Sequence, residues 1–471
     1  MKLDPTSTDF REAAHKAVDW IADYIDHIDS YPVLSRMQPG DVEKQFASAA
    51  SESGKPYDEL FAEFQQKLLP GITHWNHPSF FAYFSITGSQ AGVLGELLTA
   101  AINANGMLWK TSPSLTELET LALRWLRDAM GLPSNLFGII NDTASINVFL
   151  ALAAAREATG LDIRGQGMTG RDLPTLRLYC SEHAHSSVDK GALALGFGAQ
   201  NIVKIPSDEK FAMRADALSE AIARDRAAGM LPCVIVATTG TTSTAAVDPV
   251  RAIGEIAQRE NCWLHVDAAY AGSATIVPEF RFIWDGIEYA DSIVTNPHKW
   301  LFTPIDCSVL YTRRPDVLRE TFSLVPEYLK TTDTAEINYM DYGIQLGRRF
   351  RALKLWLVLE HYGLEHLRNV IRDHVGFAER FANELRKRDG VEVLSQSFSV
   401  VVFRLRTDDE TMAALERMNA SGQLFVSHTK LRGQYAIRVA IGNGATEWGH
   451  VERILELLWS AEATPPLSNW S

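Results

Sequence analysis

The sequence predicts an α/β protein built around a mainly parallel sheet, with a helical segment before it and a smaller α+β unit after it. Three observations carry this expectation. From about residue 86 to 320, short β-rich runs (LRLYC, NIVKI, CVIVATT, WLHVDAA and DSIVT) alternate with longer helix-like or loop stretches, the pattern of parallel strands joined by crossover helices. Ahead of them, Phe10, Ala14, Val18, Ile21 and Ile25 recur at helical spacing over residues 8–29, and residues 57–69 have the same character. Beyond residue 350 a helix-like stretch, ALKLWLVLEHYG, leads to the alternating runs VEVLSQSFSVVVFRL and YAIRVAI. The expected division is a helical segment over 1–85, a large α/β unit over 86–350 and a small α+β unit over 351–471.

At 471 residues, 46% hydrophobic and 22% charged, the chain has the make-up of a globular protein with a large core. A formal net charge of −13 opposes nucleic acid and anionic membranes as partners. The one compact basic cluster, GRRFR from Gly347 to Arg351, runs straight into a helix-like stretch and reads as a structural or dimer contact rather than an RNA site. Cys180, Cys233, Cys262 and Cys307 lie far apart without a CxxC pair, so buried reduced thiols in a cytoplasmic protein are expected. The first residues carry acids throughout and lack the apolar core of a signal peptide, and no window approaches the ~18 uncharged apolar residues of a membrane span. Neither export nor membrane insertion is expected.

In open α/β sheets, ligands sit beyond the carboxyl ends of the strands, so the residues just past each apolar run are informative. LRLYC gives way to SEHAHSSVDK, with His183 and His185; CVIVA to the hydroxyl run TTGTTST; WLHV to Asp267; and SIVT to Asn296, His298 and Lys299. FGII is succeeded by Asp142, Thr143 and Ser145 and then by the helix-like INVFLALAAAREA, whose first turn offers free N–H groups and a dipole suited to a phosphate. Singly these residues are ordinary: a lone lysine is usually solvated, an aspartate ending a strand usually belongs to a turn, and HAH alone does not make a metal site. No metal is expected.

Together, a phosphate seat, a carboxylate and a lysine at one sheet edge meet the needs of pyridoxal 5'-phosphate (PLP). The lysine forms the Schiff base, the carboxylate keeps the pyridine nitrogen protonated, and the helix start takes the phosphate. At ~4 Å and an effective dielectric of ~20, that ion pair is worth about 4 kcal/mol, or roughly three pKa units. This is enough to keep the ring an electron sink at neutral pH. Competing motifs fail: GFGAQN lacks the third glycine of a dinucleotide fingerprint, GNGATEWG has the wrong spacing, and neither GxxxxGK[ST] nor HExxH occurs.

The motifs HWNHPSFFAYF, TSPSLTELE, DTAS, AHSSVDK, ATTGTT, HVDAAYAGSA, NPHKW, EYLK and LGRRFRALKLW closely resemble those of the group II PLP-dependent decarboxylases. Within that group they are most similar to the aromatic-L-amino-acid decarboxylases, in their bacterial form, over at least residues 70–360. The resemblance implies the fold-type-I architecture of PLP-dependent transferases, with a seven-stranded, mainly parallel sheet. It makes Lys299 the Schiff-base lysine, Asp267 the partner of the pyridinium nitrogen, and His185 the residue stacked on the ring near the substrate carboxylate. It assigns the phosphate turn to Thr143, Ala144 and Ser145 with help from Asn296, and places Thr242 near the ring and His298 beside the lysine as a residue that shapes the pocket. Tyr328 matches the tyrosine of a closing loop that protonates Cα after CO2 leaves. A homodimer is also implied, clasped by the N-terminal helices and sharing Met107, Leu346 and Gly347 across the interface.

The lining this resemblance assigns, Trp75, Tyr83 and Phe84, suits a flat apolar ring. Departures begin at once. The mammalian-type FFAYFPT is FFAYFSI here, so Ser85 replaces proline and Ile86 replaces a threonine associated with ring hydroxyls, which favours tryptophan or phenylalanine over tyrosine or dihydroxyphenylalanine. Gly347 points the same way, since glycine accompanies indolic substrates in plant relatives, while Met107 makes a softer wall. The expected reaction is decarboxylation of an aromatic L-amino acid to its arylalkylamine. An aldehyde synthase is the nearest rival, disfavoured by Tyr328, where such relatives carry phenylalanine. An aminotransferase is a second rival, disfavoured because the matched pattern brings no arginine to the substrate carboxylate.

Overall fold

The computed structural model describes residues 7–324 and 336–459. The amphipathic α1 (Ser7–Asp26) and the short α2 (Tyr57–Glu63) come first, then α3 (Gln90–Ile102) and α4 (Pro113–Met130). The large unit continues as β1 (Phe137–Asn141), α5 (Ala144–Glu157), α6 (Ile163–Gln166), β2 (Leu176–Ser181), α7 (Ser186–Ala194), β3 (Ile202–Ile205), α8 (Ala215–Ala227) and β4 (Leu231–Thr238). It closes with α9 (Val250–Glu260), β5 (Trp263–Asp267), β6 (Ser292–Thr295), α10 (Pro297–Trp300), β7 (Ser308–Thr312) and α11 (Pro315–Phe322). The remainder is α12 (Arg351–Arg386), β8 (Val391–Ser397), β9 (Val400–Leu405), α13 (Asp408–Ala420), β10 (Ser427–Leu431), β11 (Gln434–Ala440) and α14 (Trp448–Trp459).

The seven strands β1 to β7 form one sheet in the order β1-β7-β6-β5-β4-β2-β3. Only β7 runs against its neighbours, so β1 to β6 all end at the same edge. The strands read as continuous apolar runs because both faces are covered. α5 shows why: Val148, Leu150 and the run Ala151 to Ala155 are all buried, and a helix apolar on every side belongs inside rather than at the surface. It packs with α7 on one face, while α4, α9 and α12 cover the other. β8 to β11 form a separate antiparallel sheet in the order β10-β11-β9-β8, backed by α13, α14 and the end of α12.

α12 turns sharply at Gly363, whose φ of +69° lies in the left-handed region that favours glycine. Its residues divide between the two cores, Ala352 to Val375 facing the large one and Ala378 to Leu385 the small one. A boundary at residue 350 therefore assigns a shared helix to one side. The basic cluster leading into it is fully paired. Arg348 holds Glu119 with two bonds of 3.1 and 2.7 Å, Arg349 meets Glu96 at 2.5 Å, Arg351 grips Asp306 at 2.8 and 3.1 Å, and Lys354 also binds Glu96. These residues strap the chain after 344 onto α3, α4 and the segment before β7. Among the described residues no helix is long and apolar enough to cross a membrane.

Candidate active site

At the shared edge of the large sheet, β1 leads through Asp142 and Thr143 into α5. Thr143 is the extended residue ahead of the helix, and its amide donates to the Asp142 carboxylate at 2.5 Å. The next amides, of Ala144 and Ser145, precede the first intrahelical acceptors and have no partner among the described residues. They make a seat for an anion. Asn296, after β6, is buried beside this seat, and its carbonyl accepts the amide of Lys299 at 2.9 Å.

His185 ends the turn after β2 and opens α7. Its Nδ1 accepts the Ser187 amide at 3.2 Å and lies 2.9 Å from the Ser187 hydroxyl, so Nε2 is the ring position left for the cleft. Burial pushes its pKa down, with Asp267 pulling up and Lys299 pushing down, which places the three groups within electrostatic reach of one another. Asp267, the last residue of β5, is buried and accepts the Ala269 amide at 3.0 Å. Lys299, in α10, is held below the usual lysine range by burial, which the attraction of Asp267 opposes and the cation of Arg438 reinforces. Its Nζ lies 5.1 Å from the centre of the Phe84 ring and has no ion-pair partner among the described residues. His298 is occupied elsewhere: its Nδ1 accepts the Cys307 amide at 2.9 Å, and burial takes it down to about 3.

A column of rings forms the floor. Phe84 stacks on Tyr270 at 3.9 Å, Tyr270 on Trp300 at 4.7 Å, and Trp300 donates its indole N–H to His374 at 3.0 Å. With one face of Phe84 against Tyr270, the other is left to the cations of Lys299 and Arg438. Trp75 stacks between Phe80 and the exposed Tyr83, and Ile86 is half-buried. Ser85 is buried, its hydroxyl donating to the Phe80 carbonyl at 3.0 Å. Thr242 is exposed after β4, beyond Gly240, whose φ is +95° and where an added Cβ would come within 2.8 Å of the Ala271 Cβ, so no side chain is admitted. Met107 and the exposed Leu346 and Gly347 lie on adjoining segments, joined by the Gly106 amide donating to the Arg348 carbonyl at 3.0 Å. Gln345 in turn donates to Asp142 at 3.3 Å, so this segment adjoins the anion seat of its own chain. Tyr328 lies outside the described residues.

Two side chains escape the sequence reading. Arg438 on β11 is buried with no carboxylate partner among the described residues; Nε donates to the Thr242 carbonyl at 2.8 Å, Nη1 to the Tyr83 carbonyl, and Nη2 to none of their atoms. Burial lowers it to about 10. The signal is present, since a lone arginine interrupts the apolar run YAIRVAI. His265 shares a strand face with Asp267; Ser292 binds both its Nδ1 and the Trp263 indole at 2.8 Å, while Nε2 is buried without a partner among the described residues. Nothing in WLHVD distinguishes that histidine from a packing residue.

These residues fit PLP. The seat has free amides, Asp267 supplies a buried carboxylate, and Lys299 is without an ion-pair partner among the described residues. A cleft of about 510 Å3 at the opposite, amino-terminal edge of β4 and β5 holds Cys233, Cys262 and Arg314, and none of this chemistry.

Comparison with known proteins agrees. The pyridoxal-dependent decarboxylase conserved domain matches residues 39–406. Tryptophan decarboxylase 2 of Oryza sativa subsp. japonica is 40% identical over 468 residues, covering 95% of this chain and 93% of the relative. Phenylacetaldehyde synthase of Arabidopsis thaliana is 39% identical over 472 residues, covering 96% and 95%. The crystal structure of Oryza sativa TDC with PLP and tryptamine superposes with a TM-score of 0.94 at 37% identity, covering 97% of this chain and 98% of that one. Catharanthus roseus tryptophan decarboxylase in complex with L-tryptophan gives a TM-score of 0.92 at 36% identity, covering 99% and 100%. The chain is a fold-type-I member of the pyridoxal-dependent decarboxylase family.

Proposed function

We propose that this protein decarboxylates aromatic L-amino acids, releasing the arylalkylamine and CO2, with tryptophan or phenylalanine preferred to tyrosine and dihydroxyphenylalanine. The observation that carries the reading is the convergence of Lys299, Asp267, His185 and the start of α5 above stacked aromatic rings. When bound, PLP supplies a conjugated ring that takes up the electron pair of the breaking Cα–carboxylate bond. Lys299 would hold the cofactor through Nζ, and its depressed pKa keeps more of it as a nucleophilic amine. Asp267 holds the proton of the ring nitrogen. Thr143, Ala144, Ser145 and Asn296 bind the phosphate, with Thr242 near the ring. His185, with Nδ1 engaged by Ser187, would cover the cofactor and offer Nε2 to the substrate, and Tyr328, assisted by His185, would deliver the proton to Cα.

Trp75, Tyr83 and Phe84 receive the aromatic side chain, and Ile86 beside Ser85 offers it no hydroxyl partner. A second subunit completes the pocket through Met107, Leu346 and Gly347. Support for a homodimer comes from α1, which buries none of its residues, and from α3, which exposes Leu94, Leu97, Leu98 and Ile102. The cytoplasm suits four buried, unpaired cysteines.

The test is to purify the protein, seek a visible absorbance that borohydride abolishes, and assay CO2 and amine from a panel of aromatic amino acids. Absence of a borohydride-trapped Lys299 bond ends the cofactor reading. Preference for the catechol by kcat/KM ends the Ile86 inference. The aldehyde synthase reading has its own support, since a synthase and a decarboxylase are matched at 39% and 40% identity. Equimolar ammonia and peroxide would favour it.

A further inference from the structure

Beneath the anion seat Asn296 is joined to three buried polar side chains to which the proposed function gives no role. Asn141 and Ser308 face each other in the β1–β7 ladder, and Asn147 lies in the first turn of α5. Asn141 donates through Nδ2 to Oδ1 of Asn147 at 2.7 Å, Asn147 donates through Nδ2 to the Ser308 hydroxyl at 2.7 Å, and Ser308 donates to Oδ1 of Asn296 at 2.5 Å. All four are at most 4% exposed. Four polar side chains in such a place are costly unless each is satisfied in a defined sense.

The chain has a direction. With its oxygen already accepting from Asn147, the Ser308 hydroxyl has its proton free for Asn296, and that bond fixes which end of the Asn296 amide is oxygen. The Nδ2 end is left with two N–H donors and no partner among the described residues. Were the amide reversed, an acceptor would confront the anion, which a phosphate cannot satisfy.

We propose that Asn147 and Ser308 are positioning residues for Asn296, fixing its side-chain amide so that its N–H groups face the phosphate seat at the start of α5. This rests on the reading of the Lys299 site as the seat of PLP. It deepens that reading by making phosphate affinity depend on two residues that do not touch the phosphate.

The experiment compares PLP with pyridoxal, which forms the same bond to Lys299 but has no phosphate. Full-length wild type, Ser308→Ala, Asn147→Leu and Asn296→Ala are stripped of cofactor, and the dissociation constant of each aldehyde is measured from the visible absorbance. Ser308→Ala weakens PLP by about tenfold and pyridoxal by less than about twofold, the worth of one charge-assisted hydrogen bond. Asn147→Leu moves the same way. Adding Ser308→Ala to Asn296→Ala costs nothing further, because the two act through one amide. Equal losses for both aldehydes, or an unchanged PLP constant in Ser308→Ala, overturn the proposal. Wild type that binds neither aldehyde at Lys299 removes the cofactor reading itself, a result distinct from either.

Discussion

The strap from Arg348 to Lys354 and the edge formed by Lys299 and Arg438 use the same side chains to opposite ends. In the strap each cation meets a carboxylate: Arg348 with Glu119, Arg349 and Lys354 with Glu96, and Arg351 with Asp306. At the edge, Lys299 and Arg438 share the face of Phe84, with no carboxylate in ion-pair contact among the described residues. A cation paired with a carboxylate ties segments together, whereas burial without one depresses the pKa: Lys299 is thereby poised to react, while Arg438 stays a cation held by the Thr242 and Tyr83 carbonyls. The pairing state, more than the residue type, separates structure from chemistry here.

The largest effect is expected from Lys299→Ala. Activity falls by at least about a thousandfold, because the covalent anchor is lost. Folding stability of the cofactor-free protein stays the same or rises, since an unpaired ammonium leaves a buried site; a large loss in denaturant unfolding would show that Lys299 is structural. Glu119→Gln is the converse. Arg348 and Glu119 are 3% and 0% exposed at the side chain, so stranding the guanidinium costs about 3–5 kcal/mol in urea unfolding, and a loss below about 1 kcal/mol would deny the strap its role.

Between these extremes stand the buried neutral rings. His374 accepts from Trp300, lies 2.9 Å from the Asn443 carbonyl, and is taken by burial from 6.5 to about 4. Its folded pKa is below its unfolded one, so its contribution is present above pH 6.5 and is lost as pH falls toward about 4. From pH 6.5 to 5 this amounts to about 2 kcal/mol, and His374→Gln should flatten the pH dependence of unfolding by that amount. An unchanged slope would exclude it. The smallest effect belongs to Gly347→Ser. A Cβ there meets nothing within 4 Å, so stability moves by less than about 0.5 kcal/mol while the tryptophan-to-tyrosine ratio of kcat/KM falls a few-fold. A shift toward tryptophan would contradict the pocket reading.

Much of the fold is legible because its signals are local. The runs that read as strands are β2 to β6, and the helical spacing over 8–29 is α1. β10 leaves no such trace, because SHTKL is polar and half exposed and gives no apolar alternation to read. The helical stretch after residue 350 is visible, but not that α12 serves both cores. At the site, Lys299, Asp267 and His185 can be singled out because each comes at or just after a strand end, and the ends of parallel strands share an edge whatever their order. Arg438 shows in the sequence only as a charge interrupting YAIRVAI; that it adjoins Lys299 is not legible there, since it comes from the other sheet.

Alone, then, the sequence determined which residues stand at strand ends, where the helices begin, and that a lysine, a carboxylate and a helix start suited to an anion occur together. These depend on side-chain periodicity and on neighbours a few positions away. Only the tertiary structure decided which charges are neutralised, that Ser85 and His298 are held by backbone groups, that Arg438 enters the site, and that Asn141, Asn147, Ser308 and Asn296 form one directed chain. Each of those depends on partners from distant segments, and a hydrogen bond or ion pair exists only once folding has brought donor and acceptor within about 3 Å of each other.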